Sequence, residues 1–122
     1  MSCIFCNLPK ERIILENELA YAIYDGFPVS PGHMLVIPKR HFQSYFDANH
    51  EEKLNVMELI DGAKQIIEEK NRPDGYNIGI NIGETAGQSV MHLHVHIIPR
   101  YKGDVENPRG GVRGVIPHKK DC

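Results

Sequence analysis

Met91-His92-Leu93-His94-Val95-His96-Ile97-Ile98-Pro99-Arg100 puts a histidine at every second position with aliphatic residues between. A period of two predicts a β-strand. Successive strand side chains point to opposite faces, so His92, His94 and His96 should line one face and Leu93, Val95 and Ile97 the other. The aliphatic face can bury itself under a helix while the imidazoles stand in a row, roughly 6.5–7 Å apart. Imidazole titrates near neutral pH, exchanges protons, binds metals and acts as a nucleophile. A row of three is hard to assign to packing, because clustered polar residues rarely lack partners.

The preceding stretch, Asn81-Ile82-Gly83-Glu84-Thr85-Ala86-Gly87-Gln88-Ser89-Val90, joins a predicted strand over 76–82 to the histidine strand. Gly83 and Gly87 permit tight turns. Gln88 and Ser89 bring donors, and free backbone N–H groups in such a turn suit phosphate oxygens. Taken alone this is an ordinary hairpin loop; beside three histidines it points to a phosphorylated ligand.

The run from Gly87 through Ile98, a Gly-Gln-Ser turn followed by alternating histidines, resembles the signature of the histidine triad (HIT) superfamily of nucleotide hydrolases and transferases. Pro31-Gly32-His33-Met34-Leu35-Val36-Ile37-Pro38-Lys39-Arg40-His41 resembles a second block of that family. Arg100 to Asp104 resembles the fragile-histidine-triad branch and its bacterial relatives. The resemblance covers nearly the whole chain.

That resemblance implies roles. His94 is the expected nucleophile, attacking an α-phosphorus and forming a nucleotidyl-histidine intermediate. His96 is expected at a phosphate oxygen or the leaving group. Ser89, Gln88 and the Gly87 backbone would bind non-bridging oxygens, where charge develops. Asn81 matches a phosphate-contacting position, and His33 a further site histidine behind the reacting groups. Ile4, Phe5, Leu8 and Ile23 would form a slot for a purine base, and Asp25 would accept the ribose hydroxyls. Those four apolar residues read equally well as ordinary core.

Cys3 and Cys6 form a C-x-x-C pair, and Cys122 ends the chain. A redox reading of C-x-x-C needs a preceding strand, which is absent. A zinc reading needs two more ligands. In zinc-bearing relatives these correspond to His41 and His92, so the resemblance implies one closed, structural Zn2+ held by Cys3, Cys6, His41 and His92. It also implies a homodimer. Cys122 reads as an exposed thiol without a role.

The chain has 122 residues, the size of one domain. A net charge of −2 excludes a general binder of nucleic acid or anionic membrane surface. No run approaches the roughly 20 apolar residues of a membrane span. The N-terminus lacks a basic region followed by an apolar run, so a cytoplasmic protein is expected. Strands are predicted over 13–16, 19–24 and 33–38. Asn49 with Glu52 three residues on predicts the start of a long helix, and Pro73 its end. Leu54, Met57, Ile60, Ala63 and Ile67 recur at helical spacing and predict its core face. His50 and His118 sit in no motif and read as surface residues. Residues 102–122, rich in glycine and proline, predict an extended tail. Its Arg109 and Arg113 read either as part of a flexible end or as an arm offering guanidinium to phosphate.

The fold class expected is α+β: one HIT domain over residues 1–122, an antiparallel sheet of about five strands with one long helix packed on it. The function expected is cleavage at the α-phosphate of adenosine-type nucleotides, dinucleoside polyphosphates foremost. Nucleoside phosphoramidates or adenylylated amines are alternative substrates. Other readings are a nucleotide-binding adaptor with residual catalysis, a zinc hydrolase with a catalytic metal, and a small structural zinc module.

Overall fold

The computed structural model describes residues 3–120; Cys122 lies outside them. Five strands, β1 (Ile13–Glu16), β2 (Ala20–Tyr24), β3 (Met34–Pro38), β4 (Gly75–Gly79) and β5 (Val95–Arg100), form one antiparallel sheet in the order β1-β2-β3-β5-β4. One helix, α1 (His50–Asn71), packs against it.

The helix begins where its caps dictate. The Asn49 side chain accepts from Glu52 N–H (2.8 Å), and Glu52 Oε1 accepts in return from Asn49 N–H (3.0 Å), closing a capping box. Glu52 is itself buried and clasped by Arg40, Nε to Oε2 at 2.9 Å and Nη2 to Oε1 at 2.8 Å. Arg72 ends the helix in the left-handed region (φ 46), just before Pro73. The buried stripe is Val56, Leu59, Ala63 and Ile67. Leu54 and Met57, expected in the core, are 50% and 60% exposed. Both spacings fit a 3.6-residue period; the stripe one position away carries the capping Glu52 and faces the sheet.

The central strands β2 and β3 are buried on both faces. Ala20, Ala22, Met34, Val36, Val95 and Ile97 meet the helix stripe. Tyr21, Ile23, Leu35 and Ile37 meet Phe5 on the opposite face, with Cys3, Leu8, Ile13 and Val90 against them. The N-terminal segment thus works as a second layer, and all five residues of β3 are buried.

The histidine strand is shorter than its alternation predicts. β5 begins at Val95, so His92 and His94 precede it. Its ladder with β3 runs only from Val36↔Val95 to Met34↔Ile97. Beyond that point one side-chain bond and one loop backbone bond replace it: His92 Nε2 donates to the Pro38 carbonyl (2.7 Å), and Leu93 N–H donates to the Phe42 carbonyl (2.7 Å). Pro99 is tolerated in β5 because it lies past the β3 ladder, opposite Tyr76 of the edge strand β4. β4 itself ends at Gly79 rather than residue 82.

After β5 a tight turn is closed by Arg100, whose Nε and Nη2 reach Asp104 at 2.8 and 2.9 Å. Residues Gly111–Val115 and Pro117–Lys119 form short 3-10 turns, the first touching β4. No described helix is long and apolar enough to cross a membrane.

Candidate active site

Backbone groups fix the neutral tautomers of His92, His94 and His33, and His33 in turn fixes that of His96. A carbonyl can only accept, so the ring nitrogen facing it must carry the proton. His92 therefore donates from Nε2 to Pro38, which leaves its Nδ1 lone pair free for a metal or a thiol. His94 donates from Nδ1 to the His92 carbonyl (2.8 Å), so in its neutral form the lone pair is on Nε2. His33 Nδ1 accepts from Val29 N–H (3.1 Å), so its proton sits on Nε2. That proton faces His96 Nδ1 at 3.0 Å, with Asp25 Oδ2 at 3.4 Å. His96 Nδ1 is then an acceptor, and its own proton is on Nε2. In their neutral forms His94 and His96 set one lone pair beside one N–H donor, with ring centroids 5.1 Å apart.

Burial disfavours the charged form of His96, His33 and His92. It pushes the His96 value down to about 4, helped by neighbouring His94 and His33 and opposed by Asp25. Burial lowers His33 as well, again against Asp25, and it lowers His92.

A cleft of about 450 Å³ opens over this pair. Its walls include Ile4, Phe5, Ile23, Asp25, His33, Asn81, Ser89, His94 and His96. Phe5 lies edge-on to His94 at 5.1 Å. Asp25 Oδ1 already accepts from Phe27 N–H (2.8 Å), which fixes the carboxylate at the rim. Sequence reasoning missed Arg12, Phe27 and Val29, which also line the cleft. Arg12 Nη2 donates to the Tyr24 carbonyl (3.0 Å), a tertiary contact with no local sequence signal.

Three expected site residues, Leu8, Gln88 and Gly87, do not line the cleft. Leu8 packs with the second core cluster and does not line the cleft. Gln88, expected at phosphate oxygens, is buried with its carboxamide engaged: Oε1 accepts from Gly83 N–H (2.8 Å), and Nε2 donates to the carbonyls of Gln43 (3.0 Å) and Val90 (3.1 Å). It is a strut for the loop that carries Ser89, whose own side chain is exposed at the cleft. Gly83 (φ 90, ψ 154) and Gly87 (φ 100) hold that loop in conformations suited to glycine. Among the described residues, His50 and His118 are exposed and outside the site.

Beside the cleft, Cys3, Cys6, His41 and His92 converge. Cys3 Sγ lies 3.4 Å from His92 Nδ1, Cys6 Sγ lies 3.5 Å from both His41 Nδ1 and His92 Nδ1, and the two Nδ1 atoms are 3.1 Å apart. A tetrahedral shell with ligands at roughly 2.0–2.3 Å sets its donor atoms roughly 3.3–3.8 Å from one another. The donor set and its spacing fit a zinc ion.

A five-stranded antiparallel sheet with one helix packed on it, and a cleft lined by His33, His94 and His96, defines an α+β domain with a histidine-lined candidate active site. Residues 8–103 match the HIT domain, and the chain belongs to that family. A bis(5'-adenosyl)-triphosphatase of Dictyostelium discoideum is 39% identical, over 80% of this chain and 66% of that protein. An AP-4-A phosphorylase of Mycobacterium tuberculosis is 37% identical, over 75% of this chain and 48% of that longer protein. The solved structure of a Zn-bound histidine triad family protein from Mycobacterium smegmatis is 36% identical, with a TM-score of 0.75 over 84% of this chain and 78% of that one.

Proposed function

We propose that the protein cleaves adenosine-type nucleotides at the α-phosphate, as a hydrolase or nucleotidyl transferase, with dinucleoside polyphosphates as its preferred class. The observation that carries this reading is the hydrogen bond from His94 Nδ1 to the His92 carbonyl, which puts the neutral ring's lone pair on Nε2 of a residue that lines the cleft. The names of the adenosyl-triphosphatase and AP-4-A phosphorylase relatives support it.

In the first step the Nε2 lone pair attacks the α-phosphorus. An N–P bond forms, the P–O bond to the leaving group breaks, and the electron pair departs on that oxygen. The imidazolium so formed keeps its Nδ1 proton on the His92 carbonyl. In the second step water attacks the phosphorus, the N–P bond breaks, one water proton goes to solvent, and Nε2 recovers its lone pair. Asn81 and the exposed Ser89 hydroxyl face the non-bridging oxygens. Asp25 takes the ribose hydroxyls, and Ile4, Phe5 and Ile23 hold the base.

His96 decides between substrates. Its Nε2–H supplies a hydrogen bond, but a neutral imidazole with a value near 4 has no proton to spare at pH 7. A nucleoside polyphosphate leaves as a stable anion and needs none. An amine leaves only if protonated, so phosphoramidates and adenylylated amines rank second. Turnover of diadenosine tri- and tetraphosphate against adenosine phosphoramidate, each in parallel, tests this order. Faster amine release would reverse it, and tight AMP binding without turnover of any substrate would favour an adaptor.

Cys3, Cys6, His41 and His92 would hold Zn2+ in a closed site that ties the N-terminal layer to the segment bearing His94. The ion supplies rigidity there. His92 is thereby committed to the metal, and His94 remains for the chemistry. The homodimer implied by resemblance is also part of this proposal; β4 is an edge strand able to pair.

A further inference from the structure

A second hollow, of about 570 Å³, lies against the nucleotide cleft. The two share Ile4, Ser89 and Val90, so one ridge separates them. Ser89 stands exposed on that ridge. The hollow's own lining is Asn7 and Met91, backed by the Cys3, Cys6 and His41 wall. Apart from those metal-ligand residues, no ionisable side chain among the described residues lines it. The nucleotide cleft differs, since Arg12 and Asp25 both reach it.

We propose that this hollow seats the leaving group, and that its occupant is an uncharged, flat group: a second nucleobase or an aryl ring joined through the scissile phosphate. The inference rests on the nucleotide-cleaving reading of the neighbouring cleft. Its volume falls in the range of small-molecule pockets, roughly 300–1,000 Å³. Ile4, Val90 and Met91 offer apolar contact, with Ile4 62% and Met91 37% exposed and therefore open to a ligand. Beyond the closed metal-ligand wall, the described lining offers a phosphate chain no cationic side chain, so phosphates stay beside Ser89 and only the apolar end enters the hollow. The shared ridge is the argument for this occupant over a partner protein: a substrate whose α-phosphate sits by His94 passes Ser89 to enter.

The test compares two substrates whose leaving groups both depart as anions. Adenosine 5'-(4-nitrophenyl phosphate) releases an aryl group, and adenosine 5'-phosphorofluoridate releases only fluoride. Met91→Gln keeps length and removes apolarity. It should raise KM for the aryl ester about fivefold, or ~1 kcal/mol at 1.4 kcal/mol per factor of ten, and leave KM for the fluoridate unchanged. Met91→Leu should restore the aryl KM. Equal effects on both substrates, or none on either, overturn the proposal. Binding supplies an independent readout. The Met91 methyl signal in 13C NMR should move with a non-hydrolysable diadenosine triphosphate analogue and stay still with AMP. A still methyl with both ligands also overturns it. If the protein cleaves neither substrate, the catalytic reading fails, and the methyl signal alone decides the seat.

Discussion

Replacing Gln88 by alanine separates a strut from a ligand-binding group. Its carboxamide makes three hydrogen bonds, to Gly83 N–H, the Gln43 carbonyl and the Val90 carbonyl, and the residue is 3% exposed. A neutral hydrogen bond contributes about 0.5–1.5 kcal/mol net. Gln43 lies at the surface, so its freed carbonyl regains water. The other two groups are partly sheltered. The loss should therefore be about 2–3 kcal/mol, a large share of the 5–15 kcal/mol usual for a domain. Urea unfolding should show the midpoint falling with little change in slope. Activity should fall in kcat as well as KM, because the loop bearing Ser89 and Asn81 loosens. Full stability with a raised KM alone would refute the reasoning and return Gln88 to the phosphate.

Three further outcomes follow from the same structure. Removing the proposed zinc with a chelator, or Cys6→Ser, should lower the melting temperature and leave residual turnover in the folded fraction; immediate, complete loss without unfolding would favour a catalytic metal. Asn49→Ala opens the capping box and should cost about 1 kcal/mol of stability, read by urea unfolding; no change would mean that Glu52 and Arg40 hold the helix start without the cap. Stability should fall in acid. His33 and His96 are held below the ordinary histidine value near 6.5, His96 at about 4, so the unfolded chain takes up protons first. Their contribution is complete above about pH 6.5 and lost as pH falls toward 4. Glu52, held below the carboxylate range by Arg40, adds a further loss at lower pH. His96→Phe should flatten the slope between pH 6.5 and 4.5; an unchanged slope would assign it to other groups.

The capping box and the sheet-and-helix architecture were legible in the sequence because each rests on local pattern. Asn49 and Glu52 meet three residues apart, and the apolar runs of β2 and β3 sit between clear turns. Other features depend on distant partners. The alternation from Met91 onward predicts a strand, yet the ladder between β3 and β5 stops at Val36↔Val95, and His92 turns its ring to Pro38 instead. Leu54 and Met57 share the helical period with the true stripe, and only the sheet's position chooses between them. Gln88 sits in a loop motif that suits phosphate, but its three partners are backbone groups, one of them 45 residues away. The protonation of His96 depends on a chain from Val29 through His33 that no spacing reveals.

The measurement nearest the centre of the account is a millisecond quench of the protein with diadenosine triphosphate labelled on the α-phosphorus, followed by peptide mapping. The account predicts label on Nε2 of His94, formed before product accumulates and absent in His94→Ala, which should still bind AMP. Steady turnover with no labelled peptide, or label on any other residue, would contradict it.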